Sequence, residues 1–328
     1  MFYGEAGKSA RSTGKRARVH VLRQNTGESG DATGFWCYNV TCALQGILKP
    51  ETRLIDSHID SHIHQEKPTM KLVLALMLCL YGVSQAHGEV QTKAIEYRDG
   101  DLVLEGFAAW DADKVSQGAP GVLVVHQWMG LTDYEKSRCK QLAELGYVAF
   151  ALDIYGKGVR PDNPKAAAEQ AGVYKTDRQL YRQRLNLGLE QLKQLTGVDA
   201  DKLAAIGYCF GGTGVIELAR SGAEVQGVAS FHGGLDSPTP ADGQNIQAKI
   251  LVLHGADDPF VPAADIQAML KEFNDAGVDW QMIEYSQSVH SFTQPTAGSD
   301  NSVGAAYNDR SDKRSWQAMQ QFFKELFQ

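Results

Sequence analysis

The chain has 328 residues, of which 43% are hydrophobic and 22% are charged, and its formal net charge is -7. These proportions are ordinary for a globular protein with a buried core, and they exclude extensive disorder. The acidic balance offers no basic surface for nucleic acid, and no repeat or heptad pattern indicates a solenoid or a coiled coil.

Residues 1–69 differ in composition from the rest of the chain. Basic residues slightly outnumber acidic ones there, and no hydrophobic periodicity is visible. Such a stretch is typical of a polar loop or a disordered extension. After Ala86, in contrast, acidic residues clearly predominate.

The segment MKLVLALMLCLYGVSQAHGEV, which begins at Met70, has the three parts of a secretory signal. Lys71 is the positive start, residues 72–83 form the apolar run, and small side chains precede a cleavage point after Ala86. The run is too short for a membrane span, which takes about 20 apolar residues. We therefore expect a signal peptide at residues 70–86 and a periplasmic or secreted protein without a stable membrane anchor.

A signal peptide acts when it emerges first from the ribosome, so we expect translation to begin at Met70. Residues 1–69 would then be an untranslated or disordered extension. The alternative is a genuine N-terminal extension followed by an uncleaved apolar segment. Only Cys139 and Cys209 lie beyond the expected cleavage point, and two cysteines do not make a disulfide framework.

Beyond Ala86 the hydrophobic pattern alternates between strands and helices. AIEYRDGDLVLEGFAAW predicts a hairpin, and the apolar runs GVLVVH and VAFALDIYG predict buried strands on either side of a helix in EKSRCKQLAELGY. Residues 163–195 have helical spacing. Further strands are predicted in KLAAIGY, VQGVASFHGG, KILVLHG and WQMIEYS, and a last helix in KRSWQAMQQFFKELF.

Strand–helix alternation over most of the chain decides the predicted fold class. It indicates an α/β fold, with a mostly parallel sheet flanked by helices on both faces. No linker interrupts residues 87–328, which we therefore expect to form a single domain with little or no cap.

The hexapeptide GYCFGG, residues 207–212, has the pattern of a nucleophile elbow, G-x-S-x-G, with cysteine in place of serine. A buried strand precedes it, and we place the start of the following helix near Thr213. Such a turn admits only small residues at the positions of Gly207 and Gly211. We therefore predict that Cys209 is a nucleophile whose pKa the helix N-terminus lowers; a buried structural cysteine is the alternative.

An acid and a base follow the cysteine in the order expected of a catalytic triad. Asp257 and Asp258 come just after KILVLHG, and His290 follows WQMIEYS. An imidazole is needed to take the thiol proton, and a carboxylate is needed to hold the imidazole in the right tautomer. Among the histidines beyond Ala86, only His290 has both the chain order and the loop position of such a base.

A nucleophile, a base and an acid of this kind also require N–H groups that stabilise an oxyanion. In the elbow pattern one belongs to the residue after the nucleophile, here Phe210, and the other to a loop after an early strand. VVHQWMGLTDYEK is such a loop, and Trp128 is its predicted backbone donor. No metal or organic cofactor is implied by these residues.

Together these motifs resemble the dienelactone hydrolase family of α/β-hydrolases over roughly residues 93–327. The matching motifs are GYCFGG, ALDIYGKG, GADDPFVP and VHSF. The resemblance implies the α/β-hydrolase fold and a triad of Cys209, His290 and Asp258 that hydrolyses a lactone or ester through a thioester. It makes Asp257 a neighbour in the loop rather than the triad acid.

Two positions depart from the family pattern. Gln127 stands where the family has a glutamate that interacts with the resting thiol; an amide can hydrogen-bond the sulfur but cannot accept its proton. Gln294 stands in place of an arginine that pairs with a substrate carboxylate, and Arg182 and Arg184 are the candidates for a replacement charge. A neutral ester or lactone is therefore at least as well favoured as an anionic dienelactone.

The sequence thus predicts an exported carboxylic ester hydrolase that acts on a small-molecule ester or lactone, and not on nucleic acid. The alternatives are a related esterase or acyl-peptide hydrolase, and a non-catalytic member of the fold that binds a ligand. A thiol redox protein is disfavoured because Cys139 and Cys209 form no C-x-x-C pair. The sequence indicates no particular oligomeric state.

Overall fold

A computed structural model of the chain describes residues 89–115 and 118–328. The expectations for residues 1–69 and for a signal peptide at residues 70–86 lie outside the described residues and stay predictions. Within the described part of the chain, no helix combines the length and the apolar character that crossing a membrane would need.

The strands of the described chain form one mixed sheet. They run over Val90–Asp99 (β1), Leu102–Asp111 (β2), Ala119–Val125 (β3), Val148–Ala151 (β4), Val198–Tyr208 (β5), Gly227–Phe231 (β6), Lys249–Gly255 (β7) and Trp280–Tyr285 (β8). Their spatial order is β1-β2-β4-β3-β5-β6-β7-β8. The β1–β2 and β2–β4 pairs are antiparallel and the remaining pairs are parallel, which confirms the predicted mostly parallel α/β sheet.

Helices cover both faces of this sheet. They run over Asp133–Glu144 (α1), Pro164–Thr176 (α2), Arg178–Lys193 (α3), Phe210–Arg220 (α4), Ala263–Ala276 (α5) and Asp309–Leu326 (α6). The central strands are apolar on both sides: in β3, Leu123 belongs to the core beneath α2, α3, α4 and α5, while Val122 belongs to the core beneath α1 and α6. Such strands end at one edge of the sheet, where α/β proteins place their sites.

The helix predicted over residues 163–195 is divided into α2 and α3. The division falls at Asp177, whose backbone is not helical and whose side chain accepts the N–H of Leu180 at 2.9 Å. An aspartate favours such an N-cap over a helix interior because its carboxylate satisfies a free N–H group.

The helix after GYCFGG begins at Phe210, three residues earlier than predicted. The Cys209 carbonyl oxygen already accepts the N–H of Thr213 at 3.2 Å, which is the first bond of an α-helix. The strand therefore passes into α4 through Cys209 alone. This tight connection places the Cys209 side chain at the carboxyl edge of the sheet.

Candidate active site

The nucleophile elbow lies between β5 and α4. Cys209 has φ 55° and ψ -115°, a conformation that is strained for a residue with a side chain. A Cβ on Gly207 would lie 1.9 Å from the Gly211 carbonyl oxygen, and a Cβ on Gly211 would lie 2.2 Å from that of Val125. Both positions therefore require glycine, and the turn leaves Cys209 partly exposed.

The structure brings together the three side chains predicted as a triad. His290 Nε2 lies 3.0 Å from Cys209 Sγ, and His290 Nδ1 lies 2.8 Å from Asp258 Oδ2. The other carboxylate oxygen of Asp258 accepts the N–H of Phe260 at 2.9 Å, which holds the carboxylate in the loop after β7. Asp258 is buried and Asp257 is exposed, so Asp258 is the carboxylate that faces the imidazole.

The ionisation of Cys209 and that of His290 depend on each other. Burial disfavours the thiolate, but the charge of His290 and its hydrogen bond outweigh burial and lower the pKa of Cys209. Burial also disfavours the imidazolium, but the Cys209 thiolate and the hydrogen bond to Asp258 raise the pKa of His290 to about 10. The geometry therefore favours a thiolate–imidazolium pair, and a thiolate is the nucleophilic form of cysteine.

The two predicted oxyanion donors lie in the elbow and in the loop after β3. The backbone N–H of Phe210 hydrogen-bonds the Cys209 sulfur and contributes to the lowered pKa of the thiol. The carbonyl oxygen of Trp128 accepts the Tyr155 hydroxyl at 3.0 Å. The backbone N–H of Trp128 donates to no other described residue, so it is free to donate to a bound group.

Gln127 makes its hydrogen bonds through backbone atoms and not through its side chain. Its N–H donates to Glu135 Oε1 at 3.2 Å, while its carboxamide makes no hydrogen bond to Cys209 or to any other described residue. The second oxygen of Glu135 accepts the N–H and the hydroxyl of Thr132 at 2.8 and 2.7 Å. Glu135 is fully buried, and burial raises its pKa.

Sequence reasoning did not identify Glu135, although a local signal for it exists. Thr132 and Glu135 form the capping box of α1, a T-x-x-E pattern that can be recognised in a sequence. Because the same carboxylate also binds the Gln127 N–H, it joins the loop that carries Trp128 to the start of α1. The sequence does not show the contact between Glu135 and the Gln127 N–H.

Three other histidines at strand ends, His126, His232 and His254, are buried. His126 Nε2 accepts the N–H of Ile154 at 3.2 Å, and burial lowers the pKa of His126 to about 4. Burial also lowers the pKa of His254. His232 is the one of the three that hydrogen-bonds the elbow, since its Nδ1 accepts the Cys209 N–H at 3.1 Å.

The two arginines considered as replacement charges are engaged elsewhere. Arg182 pairs with two carboxylates at 2.8 and 2.7 Å, and Arg184 pairs with Asp99. The Gln294 amide, at the place of the family arginine, donates to Thr296 Oγ1 at 2.9 Å. Neither arginine is therefore placed to bind a substrate carboxylate beside Cys209.

The sheet order, the elbow after β5 and the acid and histidine in the loops after β7 and β8 define an α/β-hydrolase. The model of the dienelactone hydrolase family matches residues 107–327 of the chain. The chain belongs to the dienelactone hydrolase family and is a carboxylic ester hydrolase.

Several known proteins match this chain over most of their own length. A dienelactone hydrolase-like promiscuous phosphotriesterase from metagenomic libraries is 39% identical, with a TM-score of 0.69, over 74% of this chain and 100% of its own. The "Putative carboxymethylenebutenolidase" of Aquifex aeolicus is 26% identical over 70% of this chain and 96% of its own. The "Probable 2-oxo-3-(5-oxofuran-2-ylidene)propanoate lactonase" of a Bradyrhizobium species is 26% identical over 62% of this chain and 85% of its own.

Proposed function

We propose that the chain hydrolyses a small ester or lactone through a cysteinyl thioester. Cys209 is the nucleophile, His290 is the general base and acid, and Asp258 orients His290. The observation that carries the proposal is the hydrogen-bonded line from Asp258 through His290 to the Cys209 sulfur, with steps of 2.8 and 3.0 Å. A nucleophile, a base and an orienting acid in this arrangement are the parts that covalent acyl transfer needs.

The first half of the reaction forms the thioester. The Cys209 thiolate attacks the substrate carbonyl carbon, and the N–H groups of Phe210 and Trp128 stabilise the negative charge that develops on the carbonyl oxygen. The bond to the leaving alkoxide then breaks, and the His290 imidazolium donates its proton to that oxygen. In a lactone the released hydroxyl stays attached to the acyl group.

The second half regenerates the enzyme. Neutral His290 takes a proton from a water molecule, and the water oxygen attacks the thioester carbonyl carbon. Collapse of this intermediate breaks the carbon–sulfur bond and releases the carboxylic acid. The thiolate of Cys209 and the imidazolium of His290 are then restored.

The residues considered as partners of a substrate carboxylate leave a neutral substrate at least as well favoured as an anionic one. The cations at Arg182 and Arg184 are paired with carboxylates, and Gln294 is uncharged. A lactone is favoured by the Bradyrhizobium relative, whose name is that of a lactonase. Since Gln127 cannot accept a proton, activation of the thiol depends on His290.

The test compares Cys209→Ala with Cys139→Ala on p-nitrophenyl acetate and a panel of neutral lactones. We expect Cys209→Ala to lose turnover while its melting temperature stays near that of the wild type, and Cys139→Ala to retain turnover. Brief reaction of the wild type with the ester should leave an acyl group on Cys209, located by peptide mass spectrometry. Full activity of Cys209→Ala would refute the proposal, and ligand binding without turnover would favour a non-catalytic binding protein.

Hydrolysis of phosphotriesters is a second candidate activity. The observation in its favour is the 39% identity to the promiscuous phosphotriesterase over the whole of that protein. The same thiolate would attack phosphorus and displace the aryl oxide, which takes the His290 proton, while the same N–H groups would face the phosphoryl oxygen. Water activated by His290 would then attack phosphorus, break the phosphorus–sulfur bond and release the dialkyl phosphate. Turnover of an aryl dialkyl phosphate by the wild type but not by Cys209→Ala would support this activity, and its absence from the wild type would remove it.

We also propose that the mature protein is exported, on the signal-peptide pattern of residues 70–86. The test is the N-terminal sequence of the protein purified from its native host. A chain that begins at His87 would support export, and one that begins at or near Met1 would contradict it.

A further inference from the structure

His232 lies directly after β6, between the elbow and the loop that carries His290. Its side chain is only 1% exposed, and its φ of 41° is unusual for a residue other than glycine. The His232 ring packs edge-on between two neighbours, with ring centroids 5.3 Å from His290 and 5.2 Å from Phe292. A strained and buried polar ring of this kind is retained where the surrounding structure uses it.

Both ring nitrogens of His232 are hydrogen-bonded. Nδ1 lies 3.1 Å from the backbone nitrogen of Cys209, and Nε2 lies 2.8 Å from Thr293 Oγ1. The Cys209 N–H is shared, because it also donates to the Phe231 carbonyl oxygen at 3.0 Å. An amide N–H can only donate, so the Nδ1 that faces it is the unprotonated nitrogen. Nε2 therefore carries the proton and donates it to Thr293.

Thr293 is itself held by two further side chains. The Tyr134 hydroxyl lies 2.7 Å from Thr293 Oγ1, and Arg138 Nη2 donates to the Thr293 carbonyl oxygen at 3.3 Å. Thr293 is fully buried and belongs to the same loop as His290. The bond from His232 to Thr293 thus joins the backbone of the nucleophile to the segment that carries the base.

The groups that surround His232 keep it neutral. Burial lowers the pKa of His232 well below its ordinary value, and the positive charges of His290 and Arg138 lower it further. His290 is therefore the histidine of this pair that becomes charged, and His232 keeps the lone pair that receives the Cys209 N–H.

We propose that His232 is a positioning residue that sets the distance between the Cys209 sulfur and the His290 imidazole. It does so by accepting the N–H of Cys209, donating to Thr293 and packing against the ring of His290. This inference rests on the proposed pairing of Cys209 with His290. Loss of His232 or of its bond to Thr293 would loosen that pairing and weaken the stabilisation of the thiolate.

The test is the pH dependence of alkylation of Cys209 by iodoacetamide in the full chain, with the modified peptide identified by mass spectrometry. His232→Asn keeps an acceptor near the Cys209 N–H and tolerates positive φ, but it cannot reach Thr293. Thr293→Val removes the hydroxyl with little change of shape, and Thr293→Ser restores it. Ser288→Ala is the matched control, because it removes another buried hydroxyl bond of the same loop, at 2.7 Å to Ser311, that does not involve His232.

We expect the alkylation midpoint to rise by about one pH unit in His232→Asn and Thr293→Val, with a rate at pH 6 about tenfold below that of the wild type. Ester turnover should fall mainly in kcat, and Thr293→Ser should stay within about twofold of the wild type. Ser288→Ala should lower the melting temperature without moving the midpoint.

An unchanged midpoint in Thr293→Val, with only a lower melting temperature, would overturn the proposal even if His232→Asn fails to fold. Shifted midpoints in a protein that hydrolyses no ester would support the positioning role and contradict the proposed function. A wild-type midpoint in the ordinary range of cysteine, about 8.5, would contradict both.

Discussion

The elbow and the interior of α1 each hold a cysteine, and the two thiols have opposite properties. Cys209 is partly exposed at a strained turn, and the adjacent His290 lowers the pKa of its thiol. Cys139 is fully buried, its sulfur 4.0 Å from the Phe107 carbonyl oxygen, and burial followed by the charge of Glu135 raises the pKa of its thiol. The pKa of a buried thiol is therefore lowered only where a neighbouring cation outweighs the effect of burial.

Removal of the His290 imidazolium should have the largest effect on the difference between the two cysteines. In His290→Gln we expect kcat/KM for an activated ester to fall roughly a thousandfold or more, because the base and the counter-ion of the thiolate are both lost. The pKa of Cys209 should rise toward and beyond the ordinary cysteine value of about 8.5. The two measurements are ester kinetics and the pH dependence of alkylation. An alkylation profile that stays at the wild-type position would show that His290 does not set the thiol pKa.

The orienting carboxylate should have the next largest effect. In Asp258→Asn we expect kcat to fall at least about a hundredfold, but less than in His290→Gln, since the amide favours the wrong imidazole tautomer. Asp257→Asn is the matched control, because its side chain lies in the same loop but is exposed. Steady-state kinetics on both variants check this prediction. Equal losses in the two would mean that the loop, and not the Asp258 carboxylate, is responsible.

The coupled ionisation predicts a bell-shaped pH profile of kcat/KM. The rate should fall as acid protonates the thiolate, at a pH below the ordinary range of cysteine because the pKa of Cys209 is lowered. The rate should fall again as the pH rises through about 10, where His290 loses the proton that the leaving group needs. A profile with its acid limb near 8.5, the ordinary cysteine value, would contradict the ion pair.

Glu135 should have a moderate effect that reaches the site through the Trp128 loop. Glu135→Gln presents an N–H₂ group to donors that now bind a carboxylate, so we expect a loss of about 1–3 kcal/mol in the free energy of unfolding. Displacement of the loop should lower kcat by about tenfold. Glu144→Gln, an exposed change on the same helix, is the control. Denaturant unfolding and ester kinetics give both values, and an unchanged kcat in a destabilised protein would limit Glu135 to a capping role.

Cys139 should show the smallest effect on activity. In Cys139→Ser we expect a loss of about 1–2 kcal/mol in the free energy of unfolding, because a hydroxyl replaces a buried thiol, and no change in kcat/KM. Thermal unfolding and ester kinetics measure the two quantities. A fall in activity comparable to that of Cys209→Ala would overturn the distinction between the two cysteines.

Local patterns were sufficient for the parts of the site that lie in short segments. GYCFGG predicts a turn in which Gly207 and Gly211 must be glycine, and the steric contacts in the structure give the reason. The order of Cys209, Asp258 and His290 along parallel strands predicts that their side chains meet at one edge, because the carboxyl ends of such strands lie together. The start of the helix after the elbow was predicted three residues too late, since the turn itself supplies its first hydrogen bond.

Residues that support the site through long-range contacts were not predictable in the same way. His232 is 61 residues from Thr293 in the sequence, and their hydrogen bond exists only because β6 ends beside the loop that follows β8. Glu135 has a recognisable capping pattern with Thr132, but its contact with the Gln127 N–H depends on how the loop after β3 turns back onto α1. Such contacts have no periodicity or spacing that a single sequence displays.

The sequence by itself determined the strand–helix alternation, the elbow with its cysteine and the choice of Asp258 and His290 as the proposed acid and base. These features are determined by side-chain period, glycine conformation and chain order, which are all local or sequential properties. Only the tertiary structure decided the surroundings of Cys209, with the imidazole of His290 3.0 Å from its sulfur and the neutral ring of His232 on its amide. It also decided that Arg182 and Arg184 pair with carboxylates elsewhere. The physical reason is that charge and burial act through space, and distant segments of the chain become neighbours only in the folded protein.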